Sequence, residues 1–362
     1  MFVAWRDLRF AKGRFALMGT VVVLITLLVG LLSGLTAGLG RQNISAITGL
    51  PATEIAFRSP ARGQALSYAD SAVTDAQRRQ WAEAPGVESA EPLGISTTKA
   101  TAGDRSAGVS VFGVWPGSRL APDGGRLGDR TVVLSTGAAD GLGVTSGGSL
   151  TLAGQRLTVA AVRGDAFFSH TPVVWTSLDV WRGTAPPTGD GKRPAATVLA
   201  LTTSSGADIA AVDRRAGTRT VSPADSLSAI GSYTSENGSL QLMRGFLFAI
   251  SALVIGAFFT VWTIQRGADV AVLKALGAST AYLLGDALGQ AVVLLVGGTL
   301  LGTGIAAALG ALVVGGAVPF VLSPGTVLVP AAVTVVLGAL GAALSVRRIT
   351  SVDPLTALGS AR

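Results

Sequence analysis

No cysteine occurs among the chain's 362 residues, and histidine occurs once, at position 170. The first absence excludes a disulfide-stapled secreted domain and any thiolate-ligated metal or redox centre. The second leaves one imidazole and scattered carboxylates, too few for a built metal site. Charge is scarce too: Asp, Glu, Lys and Arg make up 14% of residues, against about 25% in ordinary soluble domains. Also missing is any G-x-x-x-x-G-K-[ST] stretch. Gly191-Lys192 is followed by Arg193 and lacks the upstream glycine. The chain therefore binds no ATP through a P-loop, and energy from ATP must come from another polypeptide. There is no G-x-S-x-G elbow either, so the adjacent Ser169 and His170 read as a loop ahead of Pro172 rather than a hydrolase pair. No catalytic residue is expected.

Apolar residues, by contrast, are abundant: 49% of the chain, with a mean hydropathy of +0.54. They are gathered into four runs, Ala16–Leu39, Gly245–Ile264, about Ala287–Gly310 and about Val327–Ser345. Each matches the roughly 20 helical residues that cross a bilayer core. The first exceeds the 7–15-residue apolar stretch of a signal peptide, so it is expected to remain as a span. The fold class expected is a membrane protein with four transmembrane helices, arranged one plus three. The expected domains are 1–40 (an N-terminal amphipathic segment and first span), 41–243 (a large mixed α/β extracytoplasmic domain) and 244–362 (the remaining spans and tail).

Basic residues near the spans set the orientation. Arg6, Arg9, Lys12 and Arg14 precede the first span, Arg266 and Lys274 lie between the second and third, and Arg347-Arg348 follows the fourth. All three segments fall on one side, which places both termini in the cytoplasm of a plasma-membrane protein. Residues 40–243 carry 18 Lys+Arg and 17 Asp+Glu, so +6 of the net +7 belongs to the membrane part. Anchoring on anionic lipid accounts for the basic pI, and nucleic acid is not expected as a partner.

Within the outer segment, Thr74-Asp-Ala-Gln77 has the pattern of a capping box that opens a short helix through Trp81. Strands are expected at 109–114, 131–134, 150–152, 157–162 and 198–201, and a helix at 207–212. Gly147-Gly148 and Ala153-Gly154 read as turns, and 183–194 as a mobile loop. No internal repeat is present.

In the membrane part, Gly30, Gly34 and Gly38 recur every fourth residue and put bare backbone on one helix face. Such a face suits close helix packing, within the chain or in a homodimer. Gly298 and Gly302 repeat the spacing in the third span. The opening stretch, with Trp5 and Phe10 among basic residues, suits a headgroup layer. The segment Arg266-Gly-Ala-Asp-Val-Ala-Val-Leu-Lys-Ala-Leu-Gly-Ala-Ser279 begins with helical spacing of Val270, Leu273 and Gly277. Gly277 can end that helix and Ser279 or Thr280 can cap the next. Spacing alone describes an interfacial connector.

That segment resembles the coupling helix of FtsX/MacB-type (type VII) ABC permeases, R-x-x-E-[IL]-x-[IVL]-[LMR]-[KR]-A-[LIM]-G-A-[ST], with Asp269 at the acidic position. The tail, Arg347-Arg348 and then Asp353-Pro-Leu-Thr-Ala-Leu358, is similar to the family's closing motif. One span, a large outer domain and three spans is also the family's layout. The resemblance implies a homodimer of this chain with two copies of a separate ABC ATPase that binds ATP and magnesium. It implies that Arg266, Asp269, Lys274 and Gly277, within a coupling helix spanning 266–280, meet that ATPase. It also implies that strokes of the ATPase move the outer domains rather than open a central channel.

The opening segment and residues 231–266 are similar to an actinobacterial branch that includes haem-efflux permeases, so haem is a candidate transported ligand. On a helix, Tyr233, Glu236, Leu240 and Met243 share a face at i, i+3, i+7 and i+10. Tyr, carboxylate and thioether can each approach haem iron. Leu240 would contact a porphyrin face, and Arg244 a propionate or lipid phosphate. The same pattern also describes a juxtamembrane helix with a snorkelling arginine. Two readings stay open: export of an amphipathic compound (haem, or else peptides or lipids), and an FtsX-like mechanotransmitter acting on an envelope protein such as a cell-wall hydrolase.

Overall fold

The computed structural model describes residues 12–185, 194–265, 272, 276–313 and 318–350. In chain order, α1 (Lys12–Thr48) is followed by β1 (Glu54–Arg58), α2 (Asp75–Ala82), β2 (Val87–Ala102), β3 (Arg105–Val114), β4 (Thr131–Leu134) and α3 (Thr136–Leu142). Then come β5 (Ser149–Leu152), β6 (Gln155–Val162), β7 (Phe167–Phe168), β8 (Thr171–Ser177), α4 (Leu178–Thr184), β9 (Val198–Thr203), α5 (Ile209–Ala216) and β10 (Thr218–Val221). Three long helices follow, α6 (Gly231–Gln265), α7 (Thr280–Val313) and α8 (Pro324–Thr350). Two compact units result, Leu39–Gly238 and the combination of Met1–Gly38 with Ser239–Arg362.

The outer unit is built on β2. Its first half pairs with β9, which continues through β1 to β10 as an antiparallel sheet. Its second half joins a closed ring, β2–β3–β8–β4–β6–β5 and back to β2. Closure satisfies the edges that an open sheet would expose. Side chains fill the ring, among them Val109, Val111, Leu134, Leu150, Leu157 and Val174. A second apolar cluster includes Phe57, Leu93, Phe112, Phe168 and Trp175, and takes in Ala46 and Ile47 from the end of α1.

The expected strands at 109–114, 131–134, 150–152, 157–162 and 198–201 all lie inside observed strands. The Thr74 capping box is present, with Gln77 N–H on Thr74 Oγ1 and the Gln77 side chain returning to Thr74 N–H. The helix expected at 207–212 instead runs from Ile209 to Ala216, because Asp208 caps it through Ala211 N–H and Gly217 ends it in the left-handed region. Gly183 and Thr184, expected in a loop, close α4; residues 186–193 of that loop lie outside the described residues.

Among the described residues, four helical stretches are long and apolar enough to cross a bilayer: Phe15–Thr48, Gly231–Gln265, Ala281–Val313 and Pro324–Leu344. Phe15, Met18 and Val22 of α1 pack with Ile255, Phe259 and Trp262 of α6, Ala291 and Leu295 of α7, and Ala342 of α8. The glycine stripe faces residues of this same chain. A Cβ on Gly30 would lie 2.9 Å from that of Ala306, one on Gly34 would overlap the Phe320 ring, and one on Gly38 would overlap the Pro319 carbonyl. Gly298 and Gly302 of α7 likewise approach Val22 and the Val23 carbonyl.

Candidate functional site

The chain's one histidine occupies a position its local sequence hides. β7 and β8 form a hairpin whose register, Phe168 opposite Thr171, leaves only Ser169 and His170 in the turn. Both have positive φ, 50° and 64°. Such tight hairpin turns normally carry Asn-Gly, because a side chain crowds the backbone at positive φ. The strain is of order 1–3 kcal/mol per residue and needs surrounding structure to hold it. Here α1 holds it. Ser169 N–H donates to the Asn43 carbonyl and His170 N–H to the Gln42 carbonyl, both at 3.0 Å. Phe167 N–H donates to Ser45 Oγ at 2.9 Å. His170 is therefore a hairpin tip seated on the end of α1, not a plain loop residue.

The start of α6 completes the cluster. Ser232 and Glu236, four residues apart, share a helix face. The His170 imidazole Nε2 lies 2.8 Å from Glu236 Oε2. Asn43 Nδ2 lies 3.4 Å from the same oxygen and 3.2 Å from the ring nitrogen. Ser232 Oγ donates to Asn43 Oδ1 at 2.7 Å and lies 2.8 Å from Ser169 Oγ. Glu236 is 43% exposed and His170 30%. No hydrogen bond among the described residues occupies Glu236 Oε1. The remaining charges of these three segments are spoken for: Arg41 pairs with Asp165 at 3.6 Å and Arg163 with Asp123 at 2.9 Å. The result is a carboxylate with one oxygen tethered and one available.

The other expected site residues divide. The helix carrying them starts at Gly231 and continues through Gly238. Tyr233 is half-buried, its ring packed against the second apolar cluster of the outer unit. Leu240 and Arg244 are half-buried, and Met243 is 55% exposed. Arg266, Asp269 and Lys274 fall outside the described residues. Gly277 is described, with φ of 93°, and Ser279 Oγ accepts from Tyr282 N–H at 3.3 Å to cap α7. Asn43, Ser169 and Ser232 were not among the expected site residues. Asn43 sits in Arg41-Gln-Asn, the polar stretch that follows the first apolar run, and that break was its only signal.

Two family models account for nearly the whole chain. Residues 15–219 match the MacB-like periplasmic core domain, and residues 242–354 match the FtsX-like permease C-terminal domain. The chain belongs to the FtsX/MacB-type family of ABC transporter permeases. This permease is thus an integral protein of the plasma membrane, and its family implies a partner ATPase in a separate chain. A protein of Staphylococcus haemolyticus described as a hemin transport system permease, HrtB, is 25% identical to it over 364 residues, covering 99% of each chain. An uncharacterised ABC transporter permease of Mycobacterium tuberculosis is 26% identical over 376 residues, again covering 99% of each. The periplasmic region of MacB from Actinobacillus actinomycetemcomitans aligns with a TM-score of 0.35 and 11% identity, over 49% of this chain and 92% of that one.

Proposed function

We propose that this permease is the membrane subunit of an ATP-driven exporter that expels an amphipathic compound, haem foremost, from the outer leaflet. The observation that carries the reading is the Glu236 carboxylate at the outer start of α6, tethered through Oε2 and available through Oε1. Haem iron arrives with four equatorial positions filled by the porphyrin, so it needs only one or two axial donors. A single carboxylate can serve a metal already held in a ring, whereas a bare ion would need a fuller ligand set. The full-length similarity to a hemin transport permease supports the same cargo. Leu240 would lie against the porphyrin, Met243 would offer a second donor, and Arg244 would meet a propionate. We further propose a homodimer with two ATPase copies, engaged through Arg266, Asp269, Lys274 and Gly277.

The test is a haemin titration of detergent-purified protein followed by the Soret band. Wild type should give a saturable, shifted band, and Glu236→Ala should weaken binding by about tenfold or more. The absence of saturable binding by wild type would overturn haem as cargo and turn attention to peptides or lipids.

The match to the FtsX-like C-terminal domain favours one second reading, in which the strokes act on an envelope protein such as a cell-wall hydrolase. A deletion strain separates the two. Haem sensitivity marks export, and chaining or lysis marks mechanotransmission.

A further inference from the structure

We propose that His170 is the positioning residue of the Glu236 carboxylate: together with Asn43 it fixes Oε2, so that Oε1 serves as a single-oxygen donor to a metal-centred amphiphile. The proposal deepens the haem reading and rests on it for the ligand, but the positioning itself can be read without any ligand.

Three observations carry it. The first is contact: imidazole Nε2 is 2.8 Å from Oε2, and Asn43 Nδ2 approaches the same atom. A carboxylate joined to its helix by rotatable bonds gains a defined plane from two such tethers, and tethered ligating groups hold their metals better. The second is the anchoring of the imidazole's own backbone. Ser169 and His170 hand both N–H groups to carbonyls of α1, so the ring projects from a fixed point. The third is the choice of residues. Asn-Gly would make this turn without strain, yet Ser and His occupy it, and both side chains reach α6, Ser169 to Ser232 and His170 to Glu236. The strained turn thus keeps side chains that reach the site.

The neighbouring charges leave this pair to itself. The end of α1 contributes Arg41, and the hairpin contributes Arg163 and Asp165; each is engaged in an ion pair away from Glu236. From α6 the only other titratable group in the outer unit is the Tyr233 phenol, whose ring packs in the apolar cluster. Among the charged groups of these segments, Glu236 alone has an imidazole for its partner.

Two variants separate positioning from fold maintenance. His170→Gly removes the side chain while suiting a φ of 64°, so the turn survives. His170→Gln keeps an N–H donor at nearly the position of Nε2. With haemin as probe, His170→Gly should weaken binding about tenfold, and His170→Gln should restore most of it with an unmoved Soret maximum. Binding by His170→Gly equal to wild type would overturn the proposal. A Soret maximum displaced in His170→Gln would also overturn it, because the imidazole would then be ligating iron itself. The ligand-free measurement uses the lone histidine: isotope labelling gives one imidazole NMR signal, and Glu236→Gln should move it. If wild type binds no haemin, the haem reading falls and this signal decides alone. A moved signal supports the tether, and an unmoved one ends it.

Discussion

The two units divide their large apolar side chains between inside and outside differently. The outer unit turns its large apolar side chains inward: Trp81, Trp181, Phe57, Phe112 and Leu134 have almost no exposed surface. The membrane unit keeps one internal cluster, in which Ile255, Phe259, Trp262 and Leu295 pack with the small Ala291 and Ala342, and turns many other large side chains out: Leu24, Leu253, Leu300 and Leu340 are each more than half exposed. The solvent explains the difference. Around the outer unit, water drives apolar area into the core at roughly 25 cal/mol per Å². Lipid is as apolar as leucine, so helices in it associate through close backbone approach and dispersion. The same composition statistic, nearly half apolar, hides two different cores.

Substitutions can break that contrast on either side. The largest effect is expected in the membrane unit. Gly38→Leu would drive a side chain into the Pro319 carbonyl, which as backbone cannot rotate away, whereas a Cβ on Gly19 of the same helix meets nothing within 4 Å. Size-exclusion profiles of detergent extracts should show loss of folded protein for Gly38→Leu and a normal peak for Gly19→Leu. Equal yields would mean that the stripe does not hold the bundle. In the outer unit, Trp181→Ala should cost roughly 3–5 kcal/mol. Its ring lies over the paired Gly94 and Gly113, where any Cβ would collide with it. Denaturant unfolding followed by protease resistance of the outer unit reads this loss, and a cost under about 1 kcal/mol would show that the ring is not a keystone.

The smallest effect sharpens the electrostatic side of the comparison. Burial, and then the carboxylates Asp225 and Asp213, hold the Glu54 carboxyl above its ordinary value. The folded chain therefore takes up this proton more readily than the unfolded one, and ionised Glu54 opposes folding at neutral pH. Glu54→Gln should raise the melting temperature slightly at pH 7. The advantage should shrink as the pH falls through the carboxyl's raised folded-state value and vanish below its ordinary one, at about pH 3, where it is protonated in both states. A gain that persists undiminished in acid would show that charge is not its cause.

The spans were plain in the sequence because a bilayer demands long runs, and nothing else in the chain has them. The ring strands with β-branched or alternating apolar residues, 109–114 and 157–162, were equally readable. β2 was not: Val87–Ala102 contains Pro92 and Gly94 and little alternation, and its pairing is dictated by β9 and β3 on either side. The β7–β8 hairpin stayed hidden because Ser-His is an improbable turn, tolerated only where α1 takes up both N–H groups. Glu236 was picked out by its helix face, but its partners Asn43 and His170 lie 193 and 66 residues away, beyond the reach of any local pattern. The glycine stripe gave the packing face without the partner, which α7 supplies at Gly30 and the loop around Phe320 supplies at Gly34 and Gly38.

The dual membership of β2 has a mechanical consequence. One unbroken strand of 16 residues carries pairing to β9 over its first half and to β3 over its second. A tension applied along that strand is shared by many hydrogen bonds lying across the pull, so they are loaded in shear, not opened one after another like a zipper. Sheet and ring are then joined as a single stiff beam: displacing one end of β2 carries the other with it, with little internal stretching.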